Sequence, residues 1–520
     1  MAPGIFPSLS SIGPLLAIVG SSRLYTCSAE CGKFSVSHIV FGFNVATGNF
    51  PWICLWDAAR NNSICTVCSS EGTMAQEGPE GLDYVEDPVK GHVTILVLGD
   101  FGHSPRMANH ALSLAAEGYS VHVIAYRGSK PRSEVLFNDR ISLHLMHEPP
   151  SFYKYLPRLL AYIVKVLWQS VLLMCTLLFT LPASSHLLIQ NPPSVPTLPV
   201  AWLCCLVCRS RLVVDWHNYG WSILALTLGS QKHPLVRLCA WNERVFGRKA
   251  YAAFCVSRAM QEDLDKEWGV TAKVLYDRPP ETFKPLKVEE KHEILKKLSS
   301  EYPELRDPSE SPDATCLTRL DDCGSPQLRD GRPAVLASAT SWTEDENFSL
   351  LLDALEGYDQ LKQQGDNELP DILCIVTGKG PLKAHYLQDI QSRSLRHVQV
   401  MTPWLSAEDY PVLLGTADLG ICLHTSSSKL DLPMKVVDMF GCGLPVCAVS
   451  YPCLEELVQP GKTGLIFTTS KELLSRITEL LAGFPKNTTL LDSLRDNVLH
   501  WQTERWEANW KLTALEAFRV

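Results

Sequence analysis

The chain has 520 residues, a formal net charge of −9, 46% hydrophobic residues and 20% charged residues. At roughly 100–200 residues per domain, this length indicates two or three domains with ample core. The low charge and high apolar content exclude a disordered chain. The mild acidity argues against a nucleic-acid partner, because counterion release from nucleic acid needs a basic surface.

The 18 cysteines are scattered along the chain rather than grouped in a framework. Four of them lie inside apolar, strand-like runs: Cys255, Cys374, Cys422 and Cys447. Buried reduced thiols behave as small hydrophobic groups. A reducing compartment is therefore favoured over a set of disulfides.

Residues 1–90 differ from the rest of the chain, with no sustained period of 2 or 3.6. We expect an atypical, disordered extension. Two cysteine pairs in this segment, Cys27 with Cys31 and Cys65 with Cys68, leave zinc binding open as an alternative.

Residues 91–285 alternate apolar, strand-like runs with helical patterns, which is typical of a doubly wound α/β domain. The first run, 92–98, is apolar throughout, as expected of a strand that is buried on both faces. Further strands are predicted at 121–126, 141–146, 186–190, 212–215, 252–256 and 273–276.

A charged helix at 288–297 and a polar stretch at 299–332 interrupt this pattern, so 286–332 is predicted to be a linker with a polar insertion. A second α/β series fills 333–488. Its strands are predicted at 334–339, 372–377, 398–402, 418–423, 445–449 and 464–467. The segment 489–520 is expected to pack across both domains through one helix at 490–515 that carries Trp501, Trp506 and Trp510.

No Asp, Glu, Lys or Arg occurs between Val166 and Cys208. The part at 159–181 is long enough to span a bilayer. A full span would divide a domain whose strands lie on both sides of it, so a helix lying on or dipping into the membrane is favoured. The alternatives are a spanning helix and a helix that the domain buries on its own sheet.

Candidate site residues follow predicted strands of the first domain. In the loop 99–106, Gly102 allows close approach of a ligand, and Arg106 has a charge suited to phosphate. Asp215, His217 and Asn218 lie at and after the carboxyl end of the strand at 212–215 and should face the cleft. Histidine transfers protons near neutral pH, and a neighbouring carboxylate can orient it.

Three loops of the second domain have the composition of a nucleotide site. Ser341 follows the first strand of this domain, and the run Gly378-Lys379-Gly380 follows the next. Lys435 and Asp438 lie three apart, hence on one face of a predicted helix. Glycines let the backbone approach a diphosphate, lysine supplies positive charge, and a carboxylate can accept ribose hydroxyls.

These loops resemble those of the two-Rossmann (GT-B) glycosyltransferases, and most closely the chitobiosyldiphosphodolichol β-mannosyltransferase family. The segments that carry the resemblance are GDFGHSPRM (99–107), LIQNPP (188–193), VVDWHNYGWSI (213–223), SATSWTEDENFSLLLDALE (338–356), VTGKGPL (376–382), TPWLSAEDYP (402–411) and ADLGICLHTSSSKLDLPMKVVDMFGCGLPVCA (417–448). The resemblance covers about residues 91–515 and implies two Rossmann-like domains that face each other across a cleft.

The resemblance also implies an activity: mannose is transferred from GDP-mannose to N,N′-diacetylchitobiosyl diphosphodolichol, with inversion, on the cytosolic face of the endoplasmic reticulum membrane. Other mannosyltransferases of the same pathway are implied as partners. The expected base is His217, oriented by Asp215, with Asp100 as the second choice. Because the nucleotide loops contain no paired carboxylates of the DxD type, we predict no protein-bound metal and no cofactor besides the donor substrate.

The chain departs from the wider superfamily at two points. Asp438 matches the second of two glutamates that the superfamily often spaces eight apart, but the first position is Leu430, and Asp431 is one residue off. The basic residue expected after the first strand is replaced by TEDEN at 343–347. Phosphate neutralisation would then fall to Lys379, Lys435 or Arg106.

Three alternatives remain open from the sequence. The first is another GT-B nucleotide-sugar transferase, and the second is an inactive scaffold with the same fold. The third is a nicotinamide-dependent oxidoreductase, which is disfavoured because the spacing from Gly99 to Gly102 does not fit GxGxxG and no acidic residue closes the second strand.

Overall fold

The computed structural model describes residues 89–307, 313–343, 346–366 and 368–519. The predicted disordered extension and the possible zinc pairs at Cys27, Cys31, Cys65 and Cys68 lie outside the described residues.

The first domain is built on a seven-stranded parallel sheet with the strand order β3-β2-β1-β4-β5-β6-β7. Its strands are β1 (His92–Asp100), β2 (Ser120–Tyr126), β3 (Ile141–Met146), β4 (His186–Asn191), β5 (Arg211–Trp216), β6 (Ala252–Cys255) and β7 (Lys273–Val274). The predicted strands are confirmed, although the last one ends two residues early. There the Leu275 carbonyl accepts a hydrogen bond from the Arg106 side chain.

Helices cover both faces of this sheet. They are α1 (Pro105–Ala116), α2 (Ser133–Leu136), α3 (Arg158–Cys175), α4 (Thr197–Cys208), α5 (Gly220–Leu228), α6 (Pro234–Gly247) and α7 (Arg258–Asp263). Single wider turns extend α3 over Thr176–Thr180 and α7 over Leu264–Trp268. The core on one face contains α1, and the core on the other contains α4.

The second domain has a six-stranded parallel sheet and a two-stranded hairpin. In chain order the strands are β8 (Thr318–Leu320) and β9 (Pro326–Leu328), which form the hairpin, then β10 (Ala334–Ala339), β11 (Ile372–Thr377), β12 (Val398–Met401), β13 (Leu419–Cys422), β14 (Val446–Val449) and β15 (Gly464–Phe467). The sheet order β12-β11-β10-β13-β14-β15 is that of a doubly wound fold.

The helices of this half are α8 (Val288–Leu298), α9 (Ser349–Gln363), α10 (Lys383–Ser392), α11 (Asp409–Leu414), α12 (Met434–Gly441), α13 (Ser470–Leu481), α14 (Thr489–Trp501) and α15 (Trp506–Thr513). The described residues of 286–332, a segment that was expected to be linker and insertion, pack against the second domain. Leu295 and Leu317 are buried in one cluster with Val335 of β10, so apolar packing makes this segment part of the second domain.

The predicted helix at 490–515 is two helices. Trp501, at the end of α14, packs on Phe440 of the second domain with ring centroids 5.0 Å apart. After the break, Trp506 and Trp510 of α15 are buried in the core of the first domain. Because the helix is interrupted between Trp501 and Trp506, α14 packs on the second domain and α15 on the first. The C-terminal segment therefore contacts both domains.

One helical segment, Leu160–Thr180, is long and apolar enough to cross a membrane, yet only 6% of it is buried. Large apolar side chains of α3 face outward, among them Leu167 and Trp168, which are 60% and 50% exposed. The alternative that the sheet buries this segment is therefore wrong, because most of its apolar surface remains uncovered.

The cysteines in the strands are confirmed as buried and free. Burial raises the pKa of the Cys374 and Cys447 thiols to about 12, so both remain protonated at neutral pH.

Candidate active site

The carboxyl ends of the two sheets face a cavity of about 280 Å³ in the cleft. Its lining includes His103, Ser104, Arg106, Gln190, His217 and Asn218 from the first domain, and Asp431, Leu432 and Met434 from the second. A topological switch point of a doubly wound sheet is the usual place for a ligand. The cleft thus brings together residues that were predicted separately from both halves of the chain.

His217 reaches this cavity from the loop after β5. Its Nε2 lies 3.0 Å from Asp215 Oδ2, and its side chain is 21% exposed. An ionised carboxylate can only accept a hydrogen bond, so the ring nitrogen that faces Asp215 carries the proton. The Nδ1 atom of the neutral ring is then free to accept a proton, as a general base requires.

Asp215 is buried and accepts hydrogen bonds from three side chains. Arg106 Nε and Nη2 donate to its two oxygens at 2.7 and 2.8 Å, and His110 Nε2 donates at 3.1 Å. Burial opposes ionisation, but Arg106 and the two histidines hold the pKa of the Asp215 carboxyl well below its usual range. The carboxylate therefore remains ionised and orients His217.

The sequence suggested that Arg106 binds a phosphate, but in the structure its side chain is already paired with carboxylates. Arg106 is 2% exposed, and its guanidinium also donates to Leu275 O at 2.8 Å and Asp277 Oδ1 at 2.9 Å. Burial opposes its charge, but Asp215 and Asp277 raise the pKa of Arg106 above its ordinary value. Its role in the structure is to compensate the buried carboxylates.

A hydrogen-bond chain links the C-terminal helix to this site, and the sequence did not reveal it. Trp510 Nε1 donates to His110 Nδ1 at 2.9 Å, and His110 Nε2 faces Asp215. Burial lowers the pKa of His110, so the ring is neutral and can accept from the indole while it donates to the carboxylate. The tryptophans of the C-terminal segment were noted in the sequence, but His110, the partner of Trp510, lies 400 residues away in sequence.

Asp100 holds its own loop together. Its carboxylate accepts from the backbone nitrogens of Gly102 at 2.9 Å and Ser129 at 2.8 Å, and it pairs with His103 at 3.0 Å. Burial opposes ionisation, but these donors hold the pKa of Asp100 below its usual value. A Cβ at Gly102 would lie 2.5 Å from the Ser129 carbonyl, so this glycine permits two loops to touch.

Asn218 connects the domains at the cleft. Its Nδ2 donates to Ser427 Oγ at 3.1 Å, and its Oδ1 accepts from Tyr219 N at 2.7 Å. The Asn218 backbone carbonyl accepts from Asn191 Nδ2 at 3.1 Å, and the Asn191 carbonyl accepts from His217 N at 2.9 Å. The loop that carries His217 is thus held from both sides.

Behind this loop lies Glu243, a buried carboxyl that the sequence did not single out. It accepts from Asn191 Nδ2 at 2.9 Å and from Gly220 N and Trp221 N at 2.7 and 3.2 Å. Burial outweighs these donors and raises the pKa of Glu243 to about 7. Glu243 belongs to α6, and its carboxyl lies against the first turn of α5, where free backbone N–H groups donate to it. Only the folded chain brings these two helices together.

In the second domain, Gly378 and Gly380 bring two loops into contact. A Cβ at Gly378 would lie 1.8 Å from Thr340 O, and one at Gly380 would lie 1.7 Å from Ser341 O. The glycines therefore pack the loop after β11 against the loop after β10. This contact places Ser341 beside the predicted diphosphate loop.

Glu346, in the TEDEN segment that stands where a basic residue was expected, pairs with Lys435. The carboxylate is 2% exposed and accepts from Thr340 Oγ1 at 2.5 Å and Ser341 N at 2.7 Å. Its other oxygen contacts Lys435 Nζ, whose side chain is 24% exposed. Glu346 thus fixes the position of Lys435. The sequence analysis noted the segment TEDEN only for its lack of a basic residue and did not identify Glu346 as a partner.

Lys379 lies on the face of Trp404, with its ammonium 3.6 Å from the ring centroid. Asp431 lines the cleft, accepts from Ser426 Oγ and lies 3.5 Å from His424 Nε2. Of the two cations that the sequence offered in this domain, Lys379 is on the exposed surface, whereas Lys435 is fixed by Glu346.

Asp438 lies one turn after Lys435 on α12. Burial, together with the nearby carboxylate of Asp277 and against the influence of Arg132, raises the pKa of Asp438 to about 8. A group in this state can donate a hydrogen bond as well as accept one. Within the described part of the chain, no group of three or more His, Cys, Asp or Glu side chains is arranged to hold a metal ion.

Comparison with known proteins matches both halves of the chain. The family profile "Glycosyl transferase 4-like domain" matches residues 101–276, and "Glycosyl transferases group 1" matches residues 325–490. The "Chitobiosyldiphosphodolichol beta-mannosyltransferase" of Mus musculus is 47% identical over 429 residues, which cover 82% of this chain and 88% of the relative.

A plant relative, "UDP-glycosyltransferase TURAN" of Arabidopsis thaliana, is 44% identical over 81% of this chain and 96% of its own length. Among solved structures, Anabaena HepE in complex with UDP and glucose superposes with a TM-score of 0.54 over 81% of this chain and 98% of that one. At 16% identity, this likeness establishes the two-domain fold alone.

Proposed function

The chain belongs to the chitobiosyldiphosphodolichol beta-mannosyltransferase family, and we propose that it transfers mannose from GDP-mannose to N,N′-diacetylchitobiosyl diphosphodolichol with inversion. The product is the first β-1,4-linked mannose of the lipid-linked oligosaccharide. One observation carries the proposal: His217, with its carboxylate partner, faces Asp431 and Met434 of the second domain across one cleft, and Lys435 follows Met434 in the first turn of α12.

The reaction is a single displacement. The hydroxyl oxygen at carbon 4 of the terminal N-acetylglucosamine attacks the anomeric carbon of mannose and forms the new glycosidic bond. The bond between that carbon and the diphosphate oxygen breaks, and GDP leaves with the electron pair. His217 Nδ1 takes the hydroxyl proton, while Asp215, 3.0 Å from Nε2, stabilises the imidazolium that results.

The donor binds to the second domain. Lys435, held by Glu346, faces the diphosphate and stabilises the charge that develops on GDP. The loops of Ser341 and Gly378-Lys379-Gly380 lie on the other side of the diphosphate, and Asp438 meets the ribose hydroxyls. Asp431 lines the cleft where the mannose ring lies.

The acceptor reaches the first domain from the membrane. The exposed apolar side chains of α3 support contact with lipid, and the dolichyl chain lies along this helix. We place the enzyme at the endoplasmic reticulum membrane with both domains on the cytosolic face, where other mannosyltransferases of the pathway would take up its product.

The test is a transfer assay with the purified full-length chain, radiolabelled GDP-mannose and chitobiosyl diphosphate on an isoprenoid lipid. The expected product carries one mannose that β-mannosidase removes and α-mannosidase does not. If no mannosylated lipid forms while the chain is folded and membrane-bound, the proposal is wrong and the inactive scaffold is favoured.

A second candidate is a transferase with a UDP-sugar donor, favoured by the printed name of the plant relative. The same assay with UDP-glucose and UDP-N-acetylglucosamine separates the two. Transfer from a UDP-sugar at a higher kcat/KM than from GDP-mannose would replace the proposed donor.

A further inference from the structure

The first domain carries a second cavity, of about 630 Å³, that the reaction described above does not use. It lies where β1 and β2 end, between the sheet and α3. Leu98 and Tyr126 form its floor, and Tyr162, Lys165 and Gln169 of α3 form its opposite wall. This size falls within the range of roughly 300–1,000 Å³ that is typical of small-molecule sites.

Helix α3 forms one wall of this cavity, and the cavity is open on this side, since Tyr162 is 46% exposed and Lys165 is exposed. Tyr162, Lys165 and Gln169 are spaced by three and four residues and therefore share the face that lines the cavity. Leu160 and Leu167 lie on the opposite face, 46% and 60% exposed. One helix thus presents polar groups to a cavity and apolar groups to the outside.

The chemistry of the lining suits a sugar diphosphate. Tyrosine rings pack against the apolar faces of sugar rings, and the amide of Gln169 and the carboxylate of Glu148 can bind hydroxyl and acetamido groups. Gln169 Nε2 donates to Tyr126 Oη at 2.9 Å, which connects the wall to the floor. Lys165 supplies a positive charge for phosphate.

The cavity also meets the cleft. Pro193 and Val195 line the 630 Å³ cavity, while Pro192, the residue before them, lines the cleft that contains His217. A ligand that fills the cavity therefore reaches Pro193, the neighbour in the chain of a residue that lines the cleft with His217. This adjacency gives the ligand a direction, from the membrane side of α3 toward His217.

We propose that this cavity is the acceptor subsite: it holds the N-acetylglucosamine disaccharide diphosphate, with the diphosphate at Lys165 and the isoprenoid chain on the outer face of α3. This inference rests on the proposed function, since it assigns a place to the acceptor of that reaction. The terminal sugar then extends past Pro193 into the cleft.

The test compares full-length wild type with Lys165→Glu and Gln169→Leu. Lys273→Glu, at an exposed lysine of β7, is the matched control for Lys165→Glu. Losing a charged hydrogen bond should raise the acceptor KM about 10-fold or more. The donor KM should stay unchanged, and the control should behave as wild type. An acceptor lipid with one phosphate should show a smaller effect of Lys165→Glu than the diphosphate does.

A second measurement separates this inference from the proposed function. Binding of lipid-free chitobiosyl diphosphate is measured by titration calorimetry, with inorganic diphosphate as the competitor. Wild-type binding that Lys165→Glu abolishes supports the subsite even if no mannose is transferred. Unchanged binding and unchanged acceptor KM in both variants would overturn the subsite while transfer by the wild type still upholds the proposed function.

Discussion

Each domain places a buried carboxylate behind a basic group at the cleft, but the two carboxylates are compensated differently. Asp215 accepts from the Arg106 guanidinium as well as from His217 and His110. Glu346 accepts from a hydroxyl and a backbone nitrogen, and Lys435 is the cation that pairs with it. His217 can therefore change its charge without leaving a buried anion alone, whereas Lys435 balances the charge of Glu346 and is also the proposed contact to the donor diphosphate.

The two domains also differ in how many large apolar side chains their outer surfaces expose. The first domain leaves large apolar side chains exposed on five helices, for example Trp168 on α3, Leu206 on α4, Leu226 on α5 and Trp241 on α6. In the described part of the second domain, from α8 to α14, the exposed large apolar residues are Leu320, Leu328, Leu361 and Trp404. The two domains share one fold, but only the first has a surface suited to a membrane.

The largest effect is expected from His217→Ala. Loss of a general base lowers kcat by about 10²- to 10⁴-fold. The unfolding free energy should change little, because Arg106 still compensates Asp215. Initial rates and denaturant unfolding measure the two effects, and His500→Ala on the exposed face of α14 is the control. Mannose transfer by His217→Ala at close to the wild-type rate would show that His217 is not the general base.

Lys435→Met tests the other carboxylate. Breaking a buried ion pair costs about 3–5 kcal/mol, and we expect the lower end because Lys435 is 24% exposed. The donor KM should rise as well. The double variant Glu346→Gln/Lys435→Met should recover stability without recovering donor binding. If Lys435→Met unfolds like the wild type, Glu346 does not depend on Lys435, and the two domains do not differ in how their buried carboxylates are compensated.

Glu243 extends the comparison to a buried carboxyl without a cation. Its pKa is raised to about 7, so the folded state retains a proton that the unfolded chain releases near pH 4.5. Its contribution to stability is therefore present below pH 4.5 and decreases as the pH rises to about 7. At about 1.4 kcal/mol per pKa unit, the decrease is about 3 kcal/mol.

Unfolding free energies measured from pH 4 to 8 check this expectation. Glu243→Gln should remove the decrease with pH. Loss of the hydrogen bond from Trp221 N should lower the unfolding free energy of the variant by an amount that does not depend on pH. Parallel pH profiles for the two proteins would contradict the assignment.

The difference between the outer surfaces predicts a difference in membrane binding. Leu167→Glu on α3 should weaken partition into phosphatidylcholine vesicles about 10-fold, since burying a leucine side chain is worth roughly 1.5–3 kcal/mol. Leu328→Glu in the second domain should leave partition unchanged. Vesicle sedimentation measures both, and equal effects of the two substitutions would show that α3 is not the membrane face.

The smallest effect is expected from Trp510→Phe. The variant keeps the aromatic packing but removes the indole donor to His110, which is worth about 0.5–1.5 kcal/mol. Because His110 and His217 share Asp215, the pH profile of kcat should shift along with stability. Trp506→Phe, which removes the donor to Ser113 Oγ instead, is the control. Equal profiles for the two variants would mean that the chain from Trp510 is only structural.

The sequence by itself determined the two parallel-sheet domains, since strands that are buried on both faces leave continuous apolar runs such as 92–98. It also determined the loops that meet at the cleft, because polar residues such as Asp215 and His217 follow these runs directly, and the carboxyl ends of parallel strands share one edge. The charge-free segment at 166–208 indicated lipid contact, and the structure leaves much of α3 uncovered.

Only the tertiary structure decided which charged groups are free to act. From the sequence, Arg106 and Lys435 were equal candidates for phosphate binding. In the structure Arg106 is paired with two carboxylates that lie 109 and 171 residues away in sequence, whereas Lys435 is paired with Glu346 and remains partly exposed. The physical reason is that local patterns reflect backbone periodicity and burial, while the state of a buried charge depends on partners that only the folded chain brings within hydrogen-bond distance.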